Sequence, residues 1–331
     1  MKKILILHTG GTFGMVPKEP DEVLVPGNLH TEWSRQVPEI TRLADIYIEI
    51  PFNMDSSNVG MEEWRQLIRR VSEQMNDYDG FVIIHGTDTM AYTASALSYG
   101  LRNVPKPVVL TGAQRPLARL RSDARGNLID AIEIATMDIP EVVIVFGQSV
   151  LRGNRATKTS ITRYDAFASP NFPLLGKIGL NVEIYRKRLR TVAGPFRSDD
   201  AFSADLATVC LFPGIRPAYY QHLLDEPVKA YYLTGFGAGN IPEKDDGWLD
   251  FIRRARQKGR PVFIGSSSAH GNVDLHLYQG AKAALQAGAR GTRDMTREAA
   301  LVKLMKLCAL YEAADEIIEA FYVDMAGEIT A

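Results

Sequence analysis

Cysteine is scarce in this chain: Cys210 and Cys308 are the only two among 331 residues. Both stand between apolar neighbours and read as small core residues, and no Cys/His spacing matches a zinc site. Excess charge is lacking too. The formal net charge of -1 gives no reason to expect nucleic acid, an anionic membrane surface or a polyanionic substrate. No apolar run approaches the length of a membrane span. Lys2-Lys3 followed by Ile4 to Leu7 faintly resembles a secretion signal, but the apolar part is too short and no small-residue cleavage site follows. The expectation is a cytoplasmic protein that keeps this segment as its first strand. No fixed-period repeat or low-complexity tract is visible. With 46% hydrophobic and 23% charged residues, the composition is that of a soluble globular enzyme. A chain of 331 residues exceeds what one core usually organises, so two domains are expected.

What is present is organised around the first dozen residues. Ile4-Leu5-Ile6-Leu7 is an unbroken apolar run, the pattern of a parallel strand covered on both faces. It ends in Thr9-Gly10-Gly11-Thr12, where two glycines allow a sharp turn and a close approach of another molecule. Ligands of open α/β sheets bind just beyond the carboxyl ends of strands, so Thr12 stands where chemistry is usually done. The ordinary alternative is that the glycines only turn the chain.

The stretch from Phe13 to Gly27 holds three prolines and two glycines, which makes a helix or strand improbable and suggests a lid or an ordered connection. Asp45 to Ile50 alternates with period two and reads as a strand. Asp55-Ser56-Ser57-Asn58 follows it, ahead of a helix from Met61 to Met75. One of these polar residues can cap that helix; four are more than capping needs. Gly80 to His85 is another buried strand, leading into Gly86-Thr87-Asp88-Thr89 and a helix from about Met90. Asp88 or Thr89 suits the cap, and free N–H groups there suit an anion or a developing oxyanion. Pro107 to Thr111 is a strand that exits into Gly112-Ala113-Gln114-Arg115-Pro116. Ser122-Asp123 caps a helix to Thr136, and Glu141 to Phe146 is a further strand. This alternation predicts an α/β fold with a larger N-terminal, doubly wound, mostly parallel sheet. Apolar runs at 207–212, 229–234 and 261–266, with helices over Gly247–Lys258, Asp274–Ala287 and Thr296–Leu310, predict a smaller C-terminal α/β domain. The division is placed at 1–187 and 207–331, with 188–206 as linker.

Three strand exits thus gather two threonines, two serines and two aspartates along one edge. His8 and His85 lie inside apolar strands and read as core, so this is not a Ser-His-Asp arrangement. A threonine hydroxyl is a weak nucleophile that needs help from a base or a charged neighbour. Lys158, on the polar, glycine-containing stretch Gln148 to Arg163, is the best candidate from outside the exits. Desolvated beside a threonine, it would release its proton more readily and could act in a relay. The plain alternative is a solvated loop lysine.

Thr9-Gly-Gly-Thr12 after an opening strand resembles the first signature of the bacterial-type L-asparaginases, and His85-Gly86-Thr87-Asp88-Thr89-Met90 is similar to their second. Asp55-Ser56-Ser57 resembles their substrate-binding segment, and Arg152 to Lys158 their lysine-bearing loop. Gly237-Ala238-Gly239-Asn240 and Gly291 to Thr296 resemble C-terminal stretches of the cytoplasmic type I branch. The likeness runs from residue 4 to about 307, nearly the whole chain. One such motif is weak; four in order are specific.

The resemblance implies hydrolysis of L-asparagine to L-aspartate and ammonia. Thr12 would form an acyl-enzyme ester, and Thr87, Asp88 and Lys158 would form a second hydrogen-bonded triad. Ser56 would hold the α-carboxylate and Asp88 the α-ammonium, with Asp55 and Ser57 completing that recognition. Asn240 would approach the active site of a neighbouring subunit in a homodimer or homotetramer. No metal or organic cofactor is implied. The family's mobile loop normally carries a tyrosine beside the nucleophile, whereas the segment 13–27 has none and Leu24 lies near the expected place. The first general base therefore stays open among Thr87 with Lys158, the substrate's own carboxylate, Lys18 and Glu22. Ser266-Ser267-Ser268 stands where some type I relatives have a regulatory cysteine, so that control is not expected. Other readings are a glutaminase, weakly disfavoured by Ser57, a tRNA-dependent amidotransferase subunit on the same scaffold, disfavoured by the lack of a basic face, and a non-catalytic small-molecule binding protein.

Overall fold

The computed structural model describes residues 1–18, 23–26, 37–244 and 246–330, with 15–18 and 23–26 described by backbone only. It separates into two compact units, Met1–Asp200 and Ala201–Ala331.

The first unit is built on an eight-stranded sheet. Five of its strands are parallel: β1 (Lys3–His8), β4 (Asp45–Glu49), β5 (Gly80–Ile84), β7 (Val108–Thr111) and β8 (Val142–Phe146). Helices α1 (Met61–Glu73), α2 (Met90–Gly100) and α3 (Ala124–Ala135) make the crossovers between β4, β5, β7 and β8. Both faces are covered, which is why these strands read as continuous apolar runs: Ile4, Leu5, Ile6 and Leu7 are all fully buried. Ile4 and Ile6 pack in the cluster that includes Leu128, Ala131 and Ile132 of α3. The spatial order β4-β1-β5-β7-β8 runs second, first, third, fourth, fifth in chain order, the flavodoxin-like arrangement. Strand order reverses beside β1, between it and β5. That crevice, outside the carboxyl ends of β1 and β5, is where such sheets bind ligands.

Two features depart from the sequence reading. The segment after Thr12 contains a hairpin, β2 (Met15–Lys18) paired antiparallel with β3 (Val23–Pro26). Pro17 and Pro26 are compatible with it because a two-stranded ribbon has only edge strands, where a missing N–H can face outward. The sheet is also extended beyond β8 by three antiparallel strands: β9 (Ser149–Arg152), β12 (Gly176–Ile178) and β13 (Val182–Ile184). Short pairs are made by β6 (Leu101–Arg102) with β14 (Arg197–Ser198), and by β10 (Thr157–Lys158) with β11 (Phe167–Ala168).

The second unit carries four parallel strands in chain order, β15 (Leu206–Cys210), β16 (Ala230–Gly235), β17 (Val262–Ser266) and β18 (Arg290–Gly291). Its helices are α4 (Gly247–Gln257), α5 (Gln279–Ala287), α6 (Arg297–Leu310) and α7 (Ala314–Phe321). Helix α5 starts five residues later than the sequence suggests, because Asp274 uses its carboxylate on the backbone N–H of His276 in a turn of its own. Cys308 is buried, but Cys210 is exposed, since it lies on edge strand β15 where one face meets solvent. Among the described residues no helix is long and apolar enough to cross a membrane.

Candidate active site

The turn after β1 is held by backbone bonds and by Thr9 Oγ1, which donates to the Ile84 carbonyl at 2.8 Å. Gly11 donates to the Met54 carbonyl at 3.1 Å, and Met54 donates to the Thr9 carbonyl at 3.1 Å. A Cβ on Gly11 would lie 2.4 Å from Gly86 Cα, and one on Gly86 would lie 2.6 Å from Ser56 Cβ and Oγ. Only glycine permits that approach. The exits of β1, β4 and β5 are therefore pressed together main chain to main chain. Thr12, Asp55 and Thr87 are each the residue after one of these contact points. Thr12 opens a 3₁₀ turn, Thr12–Gly14, and is half-buried.

Asp55 caps the 3₁₀ turn Ser56–Asn58, its Oδ1 accepting from the Ser57 N–H at 2.8 Å and Ser57 Oγ at 2.6 Å. Those bonds hold its carboxyl below the usual aspartate range. Ser56 is buried, and Ser57 is exposed. The Ser56 carbonyl accepts from Thr89 Oγ1 at 2.6 Å, tying the exit of β4 to that of β5.

The turn after β5 does not cap α2 with a side chain, although Thr89 stands at the cap position. Thr89 is engaged by Ser56, and Asp88 turns to Lys158 instead. Lys158 Nζ donates to Thr87 Oγ1 at 2.7 Å and to Asp88 Oδ1 at 2.6 Å. Its side chain is 15% exposed against 65% for Asp88, so the cation is shielded while the carboxylate faces out. Thr87 is buried and donates to Gln114 Oε1 at 3.3 Å. The Lys158 loop begins at a buried clamp: Arg152 donates to Glu141 at 2.6 and 3.1 Å and to the Arg188 carbonyl at 2.8 Å. The guanidinium also lies 4.3 Å from the Phe172 ring centroid.

His85 is buried beneath the turn. Its Nδ1 lies 2.7 Å from the Gly86 carbonyl, which can only accept, so Nδ1 carries the proton. Nε2 then accepts from Thr93 Oγ1 at 3.0 Å, and Trp64 Nε1 donates to that hydroxyl at 3.1 Å. Burial pushes the imidazole down to about 4, so it stays neutral and fixes the turn.

Sequence reasoning gave no role to Gln114 and read Asp123 as a helix cap. Instead, the Asp123 carboxylate accepts from the backbone N–H groups of Gln114, at 2.9 and 3.1 Å, and Arg115, at 3.0 Å. Gln114 Nε2 donates to the Ser160 carbonyl at 3.3 Å and the Arg163 carbonyl at 3.1 Å, which orients Oε1 toward Thr87. The available signal was position: Gln114 leaves the carboxyl end of β7, as Thr12 and Thr87 leave β1 and β5.

Asn240, in the second unit, pairs with Phe236 across a tight turn, and its Oδ1 accepts from the Ala281 N–H at 3.1 Å. Glu22 and the side chain of Lys18, considered for the work of the absent tyrosine, and the side chain of Leu24, near its expected place, lie outside the described residues. Among the described residues no three His, Cys, Asp or Glu side chains stand together so as to hold a metal ion.

Residues 3–190 match the family model "Asparaginase, N-terminal", and residues 205–321 match "Glutaminase/Asparaginase C-terminal domain". The chain is 38% identical to L-asparaginase 1 of Escherichia coli strain K12, over 99% of this chain and 98% of that protein. It superposes on the thermostable L-asparaginase from Thermococcus kodakarensis with a TM-score of 0.92 at 33% identity, covering 99% of each chain. A probable cytoplasmic L-asparaginase from Campylobacter jejuni gives a TM-score of 0.82 at 27% identity, covering 97% of this chain and 99% of that one.

Proposed function

The chain belongs to the asparaginase family, and from that membership we propose that it hydrolyses the side-chain amide of L-asparagine to L-aspartate and ammonia. The observation that carries the chemistry is the Lys158 ammonium spanning Thr87 and Asp88 at 2.7 and 2.6 Å, one residue beyond the Gly11–Gly86 contact that Thr12 adjoins.

In this reading the Thr12 hydroxyl attacks the amide carbonyl carbon. A tetrahedral oxyanion forms, and backbone N–H groups after the His85–Gly86 turn stabilise it. Collapse expels ammonia and leaves an aspartyl ester on Thr12. Water, activated through Thr87 and Lys158, then hydrolyses the ester. Lys158 donates to the Thr87 oxygen while the Thr87 proton is directed to Gln114. When Lys158 is in its amine form, Thr87 passes its proton to Nζ as its oxygen takes the proton of the nucleophile, and the same relay run backwards protonates the leaving nitrogen so that ammonia departs. Asp88 meets the substrate's α-ammonium. Ser56 meets the α-carboxylate, and Asp55, held ionised by Ser57, fixes that segment. Asn240 is assigned to the neighbouring subunit's site in a homodimer or homotetramer, and the protein is placed in the cytoplasm.

Glutamine is the second substrate to examine, because the C-terminal family model spans both activities. The test is ammonia release by the purified protein from each amide at equal concentration. Faster release from asparagine supports the proposal. Release from glutamine alone replaces the substrate, and release from neither refutes hydrolysis.

A further inference from the structure

The second unit carries an unusual concentration of positive charge in Arg253-Arg254-Ala255-Arg256-Gln257-Lys258-Gly259-Arg260, although the whole chain is near neutral. Three of these cations are neutralised locally. Arg253 pairs with Asp246 at 2.8 Å, Arg254 with Asp250 at 3.9 Å and Lys258 with Asp225 at 2.9 Å. Arg256 and Arg260 have no carboxylate at ion-pair distance among the described residues. Both line a cavity of about 190 Å³ at the amino ends of β17 and β18, together with Arg290.

Two of the three guanidiniums, those of Arg260 and Arg290, are fixed by carbonyls without counter-charges. Arg260 Nη1 donates to the carbonyls of Leu224 at 2.9 Å and Glu226 at 2.7 Å. Arg290 Nη1 donates to the carbonyls of Gly288 at 3.3 Å and Ala289 at 2.9 Å. Arg256 lies against the same turn: a Cβ on Gly288 would sit 2.6 Å from its Cδ. Carbonyl bonds orient a guanidinium but leave its charge whole. Three positive charges therefore surround one small space that has a single lining carboxylate, Asp315. The opening residues of α7, Ala314 and Asp315, form another wall. Gathering like charges is unfavourable unless an anion joins them, and arginine's planar fork suits phosphate oxygens. The volume is below the ~300–1,000 Å³ of pockets for drug-sized ligands, so the fit is to one small group.

We propose that this cavity binds a phosphoryl group, held by Arg256, Arg260 and Arg290. The group is supplied either by free phosphate or by the terminal phosphate of a nucleotide. The inference stands apart from the proposed hydrolysis and does not depend on it.

The test is calorimetric titration of the intact protein at fixed ionic strength in chloride, with inorganic phosphate in one arm and ADP in the other. The expected result is saturable binding in at least one arm, weakened about tenfold by R256Q and by R290Q, since each removes a charge-assisted hydrogen bond. Tighter binding of ADP identifies a nucleotide as the source; equal or tighter binding of phosphate identifies the free anion. D315N supplies a readout of opposite sign, because removing the negative wall tightens binding severalfold. It decides the matter alone if the arginine variants do not fold. Absence of binding in both arms overturns the proposal, as does affinity indifferent to the arginine variants or lowered by D315N.

Discussion

Lys158 is the residue on which the chemistry converges, because its one charge serves both the Thr87 hydroxyl and the Asp88 carboxylate. Replacing it with methionine keeps the length and removes the donor. The K158M variant is expected to lose turnover by about 10²-fold or more while KM changes much less, the pattern of an interaction made mainly in the transition state. Steady-state kinetics on asparagine check this; an unchanged kcat would reduce Lys158 to a structural role. His85 acts in the opposite way, by remaining uncharged. Its folded value of about 4 lies below the ordinary histidine value of 6.5. The unfolded chain therefore takes up the proton first as pH falls. Stability from this group is intact above pH 6.5 and declines toward pH 4, by on the order of 3 kcal/mol. Urea unfolding of the wild type and H85Q should show a stability difference that narrows over that range.

Among the elements, the parallel strands were legible because burial on both faces leaves a continuous apolar signature, as in Ile4 to Leu7 and Phe81 to Ile84. The β2–β3 hairpin was not, because its prolines read as loop signals and are tolerated only in an edge ribbon. The three-residue strands β12 and β13 are too short to show a period. In the candidate site, hydroxyl and acidic residues at strand exits stood out by their chemistry. Gln114 and Asp123 did not, since a glutamine in a turn and an aspartate before a helix have ordinary explanations. Where Asp123 sends its carboxylate depends on a backbone fold nine residues upstream. Helix α3 carries a cost of its own. Burial, and then the like charge of Glu133 one turn on, push the Asp130 carboxyl up to about 6. The folded state thus holds this proton more firmly than the unfolded chain, and stability falls as pH rises from about 4 to 6. D130N is expected to raise the denaturant midpoint at pH 7 and to leave it nearly unchanged at pH 4.

At the scale of the molecule, both units close around charges that burial makes decisive. In the first, Glu141 and Arg152 are buried as a pair at 2.6 Å and anchor the start of the Lys158 loop. In the second, Lys303 and Glu328 form an ion pair in which both side chains are fully buried. Glu328 also accepts from the backbone N–H groups of Met325 at 3.0 Å and Ala326 at 2.8 Å, so one carboxylate folds the chain's last turn onto α6. E328A leaves the ammonium in the interior with its carboxylate gone. It is expected to cost about 3–5 kcal/mol, read as a lower midpoint in chemical unfolding. A change within 0.5 kcal/mol, the range of an ordinary surface substitution, would show that the pair adds little.

The central claim is that a hydroxyl brought by the first strand attacks a carboxamide. It is tested most directly by mixing the wild-type protein and T12A with asparagine, quenching in acid within the first turnover, and mapping the peptides by mass spectrometry. The account predicts an aspartyl ester on the peptide that contains Thr12 in the wild type, no adduct in T12A, and loss of ammonia release in that folded variant. Full ammonia release by T12A, or an ester carried by another residue, would contradict it.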